Sequence, residues 1–308
     1  MHTLSIIVPV YFNADTLTEL FQSIQLVENK LTTMGFYTEL IFVDDGSEDQ
    51  SLLALRDIKK IRPSTKIIKL SRNFGAIQAC KCGLNFVTGD CFTLLAADLQ
   101  DPPELIVKMA EKWLEGHKFI ICERESREDP FISKFFTKIY YFLLRNLVVA
   151  KYPKGGFDLA LMDKSMLPHL LNSSKNLHAS LLSYWLGYPP YVIPYYRRKR
   201  VHGKSKWTLG KKVKSFLDVI FGFSIKPIRL MSGIGLSVAL LSFIFGVSVV
   251  IGAIKGNIPI AGFATVTSLI CFLLGLMLLM LGMIGEYLWR VLEEVNKRPE
   301  FVIDEILE

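Results

Sequence analysis

At 308 residues the chain exceeds one typical domain, so a core domain plus a further element is expected. Its formal charge of +7 is concentrated in one segment interleaved with apolar residues, which favours a membrane surface over nucleic acid as the partner. The five cysteines, Cys80, Cys82, Cys91, Cys122 and Cys271, form neither a paired framework nor a metal-ligand spacing, which excludes a disulfide scaffold and suits a reducing compartment.

Strand and helix signals alternate through the first part of the chain. Leu4–Val10 reads as a strand, Thr16–Leu31 as an amphipathic helix, Leu40–Val43 as a strand, Ser51–Lys60 as a helix and Lys66–Leu70 as a strand. Ala76–Val87 follows as a helix, Cys91–Leu95 as a strand, Pro103–Glu115 as a helix and Phe119–Cys122 as a strand. Strands separated by helices of this length predict an α/β domain with a mostly parallel sheet and right-handed crossovers. The N-terminus runs directly into the first strand, so no signal peptide is expected.

Two of these strands end in acid: one at Asp44-Asp45-Gly46-Ser47, the other at Asp98-Leu99-Gln100-Asp101-Pro102-Pro103. Ligands of open α/β sheets bind at the carboxyl ends of the strands. Carboxylates gathered there repel one another unless a cation or a hydrogen-bonding ligand lies between them, and a nucleotide held partly through a divalent metal meets that need. Turn chemistry at Asp-Gly-Ser and a helix start at Asp-Pro-Pro are the plainer alternatives.

Beyond Cys122 an apolar stripe of Phe131, Phe135, Phe136, Ile139, Phe142 and Leu143 is flanked by Lys134, Lys138 and Arg145. It suits either a buried helix face or a helix lying on a bilayer. A basic segment with Trp207, Leu209, Val213, Phe216, Leu217, Ile220 and Phe221 on one helical face has the pattern of an amphipathic helix at an anionic membrane. Leu230–Ile254 and Asn257–Gly285 contain no charged residue, and each exceeds the roughly 20 apolar residues that cross a bilayer. Only Lys255–Pro259 joins them, so a transmembrane hairpin is expected. Basic residues from Arg197 to Arg229 precede the hairpin, and Arg290, Lys297 and Arg298 follow it, against Lys255 alone at the tip. That asymmetry places both ends in the cytoplasm. The expected organisation is a cytoplasmic domain over 1–205, juxtamembrane helices over 206–229, two spans over 230–288 and a cytoplasmic tail over 289–308.

The run Val8-Pro9-Val10-Tyr11-Phe12-Asn13, then Val43-Asp44-Asp45-Gly46-Ser47, then Asp98 to Pro103 resembles the family-2 glycosyltransferases. Ser71-Arg72-Asn73-Phe74-Gly75, Gly155-Gly156-Phe157-Asp158, Arg197 and Arg200 before Gly203-Lys204-Ser205-Lys206-Trp207, and the hairpin narrow the resemblance to the polyprenyl-phosphate glycosyltransferases. The resemblance covers nearly the whole chain. It implies a nucleotide-sugar-binding GT-A (Rossmann-like) domain and transfer of one hexose, from a donor taken as UDP-linked, to undecaprenyl phosphate with inversion.

By the same resemblance Pro9, Tyr11, Asp44, Asp45, Arg72, Asn73 and Asp98 would hold the nucleotide-sugar. Asp98 and Gln100 would bind Mg²⁺ or Mn²⁺, and hard oxygen ligands suit such a cation. Asp158 matches the family's catalytic acid and would act on a nucleophile that is largely dianionic already, so orienting the acceptor or sugar is an alternative to removing a proton. Arg124, Arg127, Lys134, Thr137, Lys138, Arg197 and Arg200 would bind the acceptor phosphate or the diphosphate. The family usually carries a further acid two residues before Asp98, where this chain has Ala96. The implied partners are a nucleotide-sugar, a polyprenyl-phosphate lipid and the membrane, with a homo-oligomer left open. A processive polysaccharide synthase and a non-catalytic membrane scaffold are the competing readings.

Overall fold

A computed structural model of the chain describes residues 1–124, 141–146, 148–149, 152–153, 156–173, 179–197, 219–220, 223–255, 262–296 and 298–308. The chain divides into two compact units, Met1–Asp218 with Pro299–Glu308, and Val219–Arg298. The apolar stripe at 131–143 lies almost wholly outside the described residues, Phe142 and Leu143 excepted, as does the basic amphipathic segment apart from Ile220.

In the first unit the expected alternation is present. Strands β1 (His2–Val10), β2 (Phe36–Asp44), β3 (Lys66–Leu70), β4 (Cys91–Leu94) and β5 (Phe119–Arg124) alternate with helices α1 (Ala14–Thr33), α2 (Ser51–Ile61), α3 (Ala76–Leu84) and α4 (Leu105–Leu114). Three strands were not anticipated: β6 (Phe157–Asp163), β7 (Tyr191–Tyr195) and β8 (Ile303–Leu307). Two short helices, α5 (Leu167–Leu171) and α6 (Ala179–Trp185), lie between β6 and β7.

All eight strands form one sheet in the order β7-β5-β6-β4-β1-β2-β3-β8. Four pairings are parallel (β1 with β2, β1 with β4, β2 with β3, β5 with β7) and three, those of β6 with β4 and β5 and of β8 with β3, are antiparallel. The central strands are near-continuous apolar runs because helices cover both faces of a largely parallel sheet. Leu4, Ile6, Ile7, Val8 and Val10 of β1 are fully buried. Helix α1 turns Leu17, Leu20, Ile24, Val27 and Leu31 inward at helical spacing. Cys82, Cys91 and Cys122 are buried and unpaired, and burial pushes the Cys82 and Cys122 thiols up to about 12, so they are packing residues.

The sequence predicts a tail over 289–308, whereas Ile303–Leu307 forms an edge strand of the sheet. It runs antiparallel to β3, with Ile67 opposite Leu307 and Ile68 opposite Ile306. Ion pairs join it to the rest of the unit: Arg56 to Glu305 at 3.0 Å, Lys69 to Asp304 at 2.5 Å, and Glu300 just before it to the buried Lys81 of α3 at 2.8 Å. Losing Glu300 would leave the buried Lys81 ammonium without its counter-charge, with the Ser173 carbonyl at 2.6 Å as its remaining partner.

The second unit contains α7 (Lys226–Ile254) and α8 (Phe263–Val295). Both are long and apolar enough to cross a membrane, over Lys226–Phe245 and Phe272–Leu292. Gly235 of α7 lies against Met280 of α8, and the Tyr287 hydroxyl donates to the Ser224 carbonyl at 3.0 Å. Their outer surfaces are apolar, with Leu236 74% and Phe243 70% exposed. Such a surface is unfavourable in water and calls for lipid or protein around it.

Helix α3 approaches the sheet through Gly83, where an added Cβ would meet the Cγ2 of buried Ile7 and lie 3.2 Å from Val43. Helix propensity alone favours Ala over Gly by about 1 kcal/mol, whereas overpacking a tight core costs about 1–3 kcal/mol. Gly83→Ala should therefore destabilise the protein despite the better helix former. The check is a lower midpoint in denaturant unfolding; an unchanged or higher midpoint would show that α3 can lift away at no cost.

Candidate active site

The carboxyl ends of β1 to β5 and β7 lie along one edge of the sheet, and the antiparallel β6 contributes its first residues to that same edge. Order reverses at β1, which has β2 on one side and β4 on the other. Ligand crevices of open α/β sheets form at such a switch point.

Three loops converge on the β1–β2–β3 side. Asp45, at the end of β2, accepts the Phe74 N–H at 2.7 Å on Oδ1 and the Gly75 N–H at 2.9 Å on Oδ2. Gly46 has φ +65°, and a Cβ there would lie 2.5–2.8 Å from backbone atoms of Arg72 and Asn73. Only glycine fits at this junction, for conformation and for space alike. Arg72 lies over the Phe74 ring at 4.1 Å and donates to the Asn73 carbonyl at 3.1 Å. The β1 loop is fastened to the same corner: Asp45 N–H donates to the Val10 carbonyl at 2.8 Å, Phe12 N–H to Ser47 Oγ at 3.1 Å, and Asn13 N–H to Ser51 Oγ at 2.9 Å.

Asp44 is fully buried; its Oδ1 accepts the Ser47 N–H at 3.3 Å, and its Oδ2 has no hydrogen-bond donor among the described residues. Burial raises the pKa of Asp44, as it does that of Asp45, where the Phe74 and Gly75 N–H groups oppose the shift. An acceptor buried without a donor is costly and suits a ligand that brings one.

On the other side of β1 the β4 loop carries Asp98, Gln100 and Asp101. Leu99, between the first two, has φ +59°, and Phe12 in the β1 loop has φ +55°. A non-glycine residue held in this region costs of order 1–3 kcal/mol and recurs at functional sites. Asp98 Oδ1 accepts the Gln100 N–H at 3.2 Å, and Thr16 of α1 donates to the Ala97 carbonyl at 2.7 Å, tying this loop to the β1 loop.

A cluster of two acids and two arginines occupies the β5–β6–β7 end. Arg124 closes β5, Asp158 opens β6, and Arg197 follows β7. The Arg124 guanidinium pairs with Asp158, whose Oδ2 lies 3.2 Å from Arg197. Asp101, 1% exposed, lies 3.3 Å from Arg197 Nε and accepts the Tyr195 hydroxyl at 2.5 Å. Burial and the Asp101 charge push the Tyr195 pKa up, so the phenol stays protonated and donates. Arg124 is 7% exposed, and its Nε has no acceptor among the described residues.

Sequence reasoning named Pro9, Tyr11, Asp44, Asp45, Arg72, Asn73, Asp98, Gln100, Asp158, Arg124 and Arg197. All of them lie on this edge of the sheet, in the loops and strand ends described above. Arg127, Lys134, Thr137, Lys138 and Arg200 lie outside the described residues. Asp101 and Tyr195 were missed. Asp101 reads in sequence as the start of a helix, and Tyr195 as one aromatic among many; only the pairing of β7 with β5, which sets Tyr195 opposite Arg124, brings them together. Among the described residues no group of three or more His, Cys, Asp or Glu could hold a metal. Asp98 and Gln100 therefore offer two oxygen donors, which fit a hard cation only if a ligand and water supply the remainder.

Residues 5–171 match the model of glycosyl transferase family 2. An uncharacterised glycosyltransferase of Synechocystis sp. is 34% identical over 310 residues, covering 98% of this chain and 95% of that one. A bactoprenol glucosyl transferase of Shigella phage SfX is 30% identical over 97% of this chain and 98% of its own. Among solved structures, glucosyl-3-phosphoglycerate synthase of Mycobacterium tuberculosis, in complex with Mn²⁺, UDP-glucose and phosphoglyceric acid, shares the fold. Its TM-score is 0.50 at 13% identity, over 71% of this chain and 78% of that one. With the family model spanning more than half of its residues and the full-length relatives agreeing, the chain belongs to glycosyl transferase family 2.

Proposed function

We propose that the chain transfers one hexose from a UDP-linked nucleotide-sugar to undecaprenyl phosphate at the cytoplasmic face of the membrane. The transfer inverts the anomeric centre and gives a polyprenyl-phosphate sugar for modifying a cell-envelope glycan. The observation that carries this reading is the similarity to a bactoprenol glucosyl transferase over 97% of the chain, which takes in the apolar helices as well as the acidic strand ends.

In this reading the corner of Pro9, Tyr11, Asp44, Arg72 and Asn73 holds the nucleotide, and a base N–H or ribose hydroxyl satisfies Asp44 Oδ2. Asp45 belongs to the same corner: each of its oxygens accepts one loop N–H and keeps a lone pair for a ribose hydroxyl or base N–H. Asp98 and Gln100 hold Mg²⁺ or Mn²⁺, which when bound neutralises charge on the departing diphosphate. Arg124 and Arg197 receive the acceptor phosphate, for which planar guanidinium forks are suited; Arg127, Lys134, Thr137, Lys138 and Arg200 are the further candidates. A phosphate monoester has its second pKa near ~6, so the nucleophile needs no base at neutral pH. A phosphate oxygen forms the bond to the anomeric carbon as the bond to the nucleoside diphosphate breaks. Asp158, between the two arginines, orients the acceptor and the sugar. Residues 1–205 form the cytoplasmic transferase domain, 206–229 lie along the membrane surface, 230–288 cross the membrane twice, and 289–308 are cytoplasmic.

The sheet supports this topology. Because β8 pairs with β3, the chain that leaves the first unit after Asp218 returns to it at Pro299. Any membrane is then crossed an even number of times, in agreement with the basic residues flanking the hairpin.

Detergent-purified protein given UDP-glucose, or a panel of UDP-, GDP- and TDP-sugars, with a short polyprenyl phosphate should form a lipid-linked monosaccharide. Asp158→Asn should lower kcat by roughly two orders of magnitude or more while leaving the donor Kd within about twofold. Absence of both product and nucleotide binding would favour the scaffold reading, for which Ala96 is the motive; an equal loss of donor affinity would place Asp158 in the nucleotide site.

Calorimetric titration with Mn²⁺ should show weak binding to the nucleotide-free protein and firm binding once UDP is present, because diphosphate oxygens complete the shell. Ala96→Asp should tighten the nucleotide-free binding. Tight binding without nucleotide that survives Asp98→Ala would move the metal elsewhere.

Orientation is checked in intact cells after replacing the native cysteines. A membrane-impermeant thiol reagent should label Lys255→Cys at the hairpin tip and leave Leu53→Cys, on exposed α2, unlabelled. The reverse pattern would put the transferase unit on the outer face.

A further inference from the structure

We infer that Pro299–Leu307, the segment downstream of both long helices, is a positioning element of the donor site that holds the 71–75 loop at Ser71 and steadies, at Lys81, the helix into which that loop runs. The inference rests on the assignment of that loop to the nucleotide.

At the front of the loop, the Ser71 N–H donates to the Val302 carbonyl at 2.9 Å. This bond continues the β3–β8 ladder one step past Leu70, where the register shifts. At the back, the loop runs through Gly75 into α3. The buried ammonium of Lys81 on that helix is shared between Glu300 at 2.8 Å and the Ser173 carbonyl at 2.6 Å. The last two residues of the loop hang from Asp45 through the Phe74 and Gly75 N–H groups. The segment also reaches the neighbouring acid: Lys69, paired with Asp304, stands in register opposite Asp44 in the β2–β3 ladder.

Pro299–Leu307 thus holds the loop itself at Ser71 and the helix that follows it at Lys81. Without the segment the Ser71 N–H and the Lys81 ammonium each lose a partner, and the loop keeps Asp45 at Phe74 and Gly75 and the Gly46 backbone contact at Arg72 and Asn73. A loop that must be ordered by its ligand binds that ligand more weakly than one already ordered. The segment accordingly acts on donor affinity through Ser71 and Lys81, touching no substrate itself.

The test uses the full chain in detergent, UDP as probe, and amide hydrogen exchange over 71–75 as a readout independent of nucleotide. In Glu300→Lys the 71–75 amides should exchange about tenfold faster or more, and the UDP Kd should rise by a similar factor. Donor KM should rise with it, while acceptor KM stays unchanged. Adding Lys81→Glu to Glu300→Lys should recover both exchange protection and affinity. A chain ending at Arg298 should show the larger defect, and a synthetic peptide of residues 299–308 added in trans should restore protection at Ser71, Phe74 and Gly75. Unchanged protection of 71–75 in the shortened chain, or acceleration that neither peptide nor reversed pair relieves, overturns the inference. If the intact chain binds no UDP the donor reading fails, whereas the exchange data still decide whether the segment holds the loop.

Discussion

Much of the site depends on one buried carboxylate. Asp45 sits at the end of β2 with each oxygen on a separate backbone N–H, those of Phe74 and Gly75. Burying a carboxylate is costly unless its charge is answered, and here two N–H groups from another loop answer it. The ends of β2 and β3 therefore form one rigid corner, with no room beside Gly46 for a side chain. The direction in which Arg72 and Asn73 present themselves follows from that bond pair. So does the start of α3, and Gly83 then seats that helix directly on the sheet.

The second half of the site is built on a balance of charge. Asp101 and Asp158 offset Arg124 and Arg197, so the cluster is close to neutral while its guanidinium groups remain concentrated in a small volume. Asp101 is the inner member: it is buried, takes the Tyr195 hydroxyl, and lies against Arg197 while the far nitrogen of that arginine faces Asp158. An incoming phosphate would compete with Asp158 for the two arginines, which sets the carboxylate beside whatever binds there.

The sheet is assembled from chain on both sides of the two long apolar helices. The two long helices are inserted between the seventh and eighth strands of a single sheet, so the transferase unit is complete only when the chain has passed through both helices. β8 is held by an ordinary antiparallel ladder and by ion pairs, of which Lys81 with Glu300 is the least exposed to water and therefore the least screened.

The sequence by itself determined the alternation of strands and helices up to β5, because apolar runs of strand length and amphipathic runs of helix length are local patterns. It also determined the two apolar helices, and the acids at the ends of β2 and β4, since strand ends in such sheets face the crevice. It did not disclose that β6 inserts antiparallel between β4 and β5, that β7 pairs with β5, or that 303–307 returns to β3. Strand pairing between segments far apart in the chain is a tertiary choice, and a short strand such as Ile303–Leu307 carries no signal of its partner. For the same reason Asp158, Arg124 and Arg197 were each legible as candidates, whereas their pairing with one another, and the roles of the buried Asp101 and the Tyr195 hydroxyl, appeared only when those strands came together. Asp45 gained a second role in the same way: its local sequence reads as turn chemistry, and only the approach of the 71–75 loop shows that it fastens that loop through the Phe74 and Gly75 N–H groups.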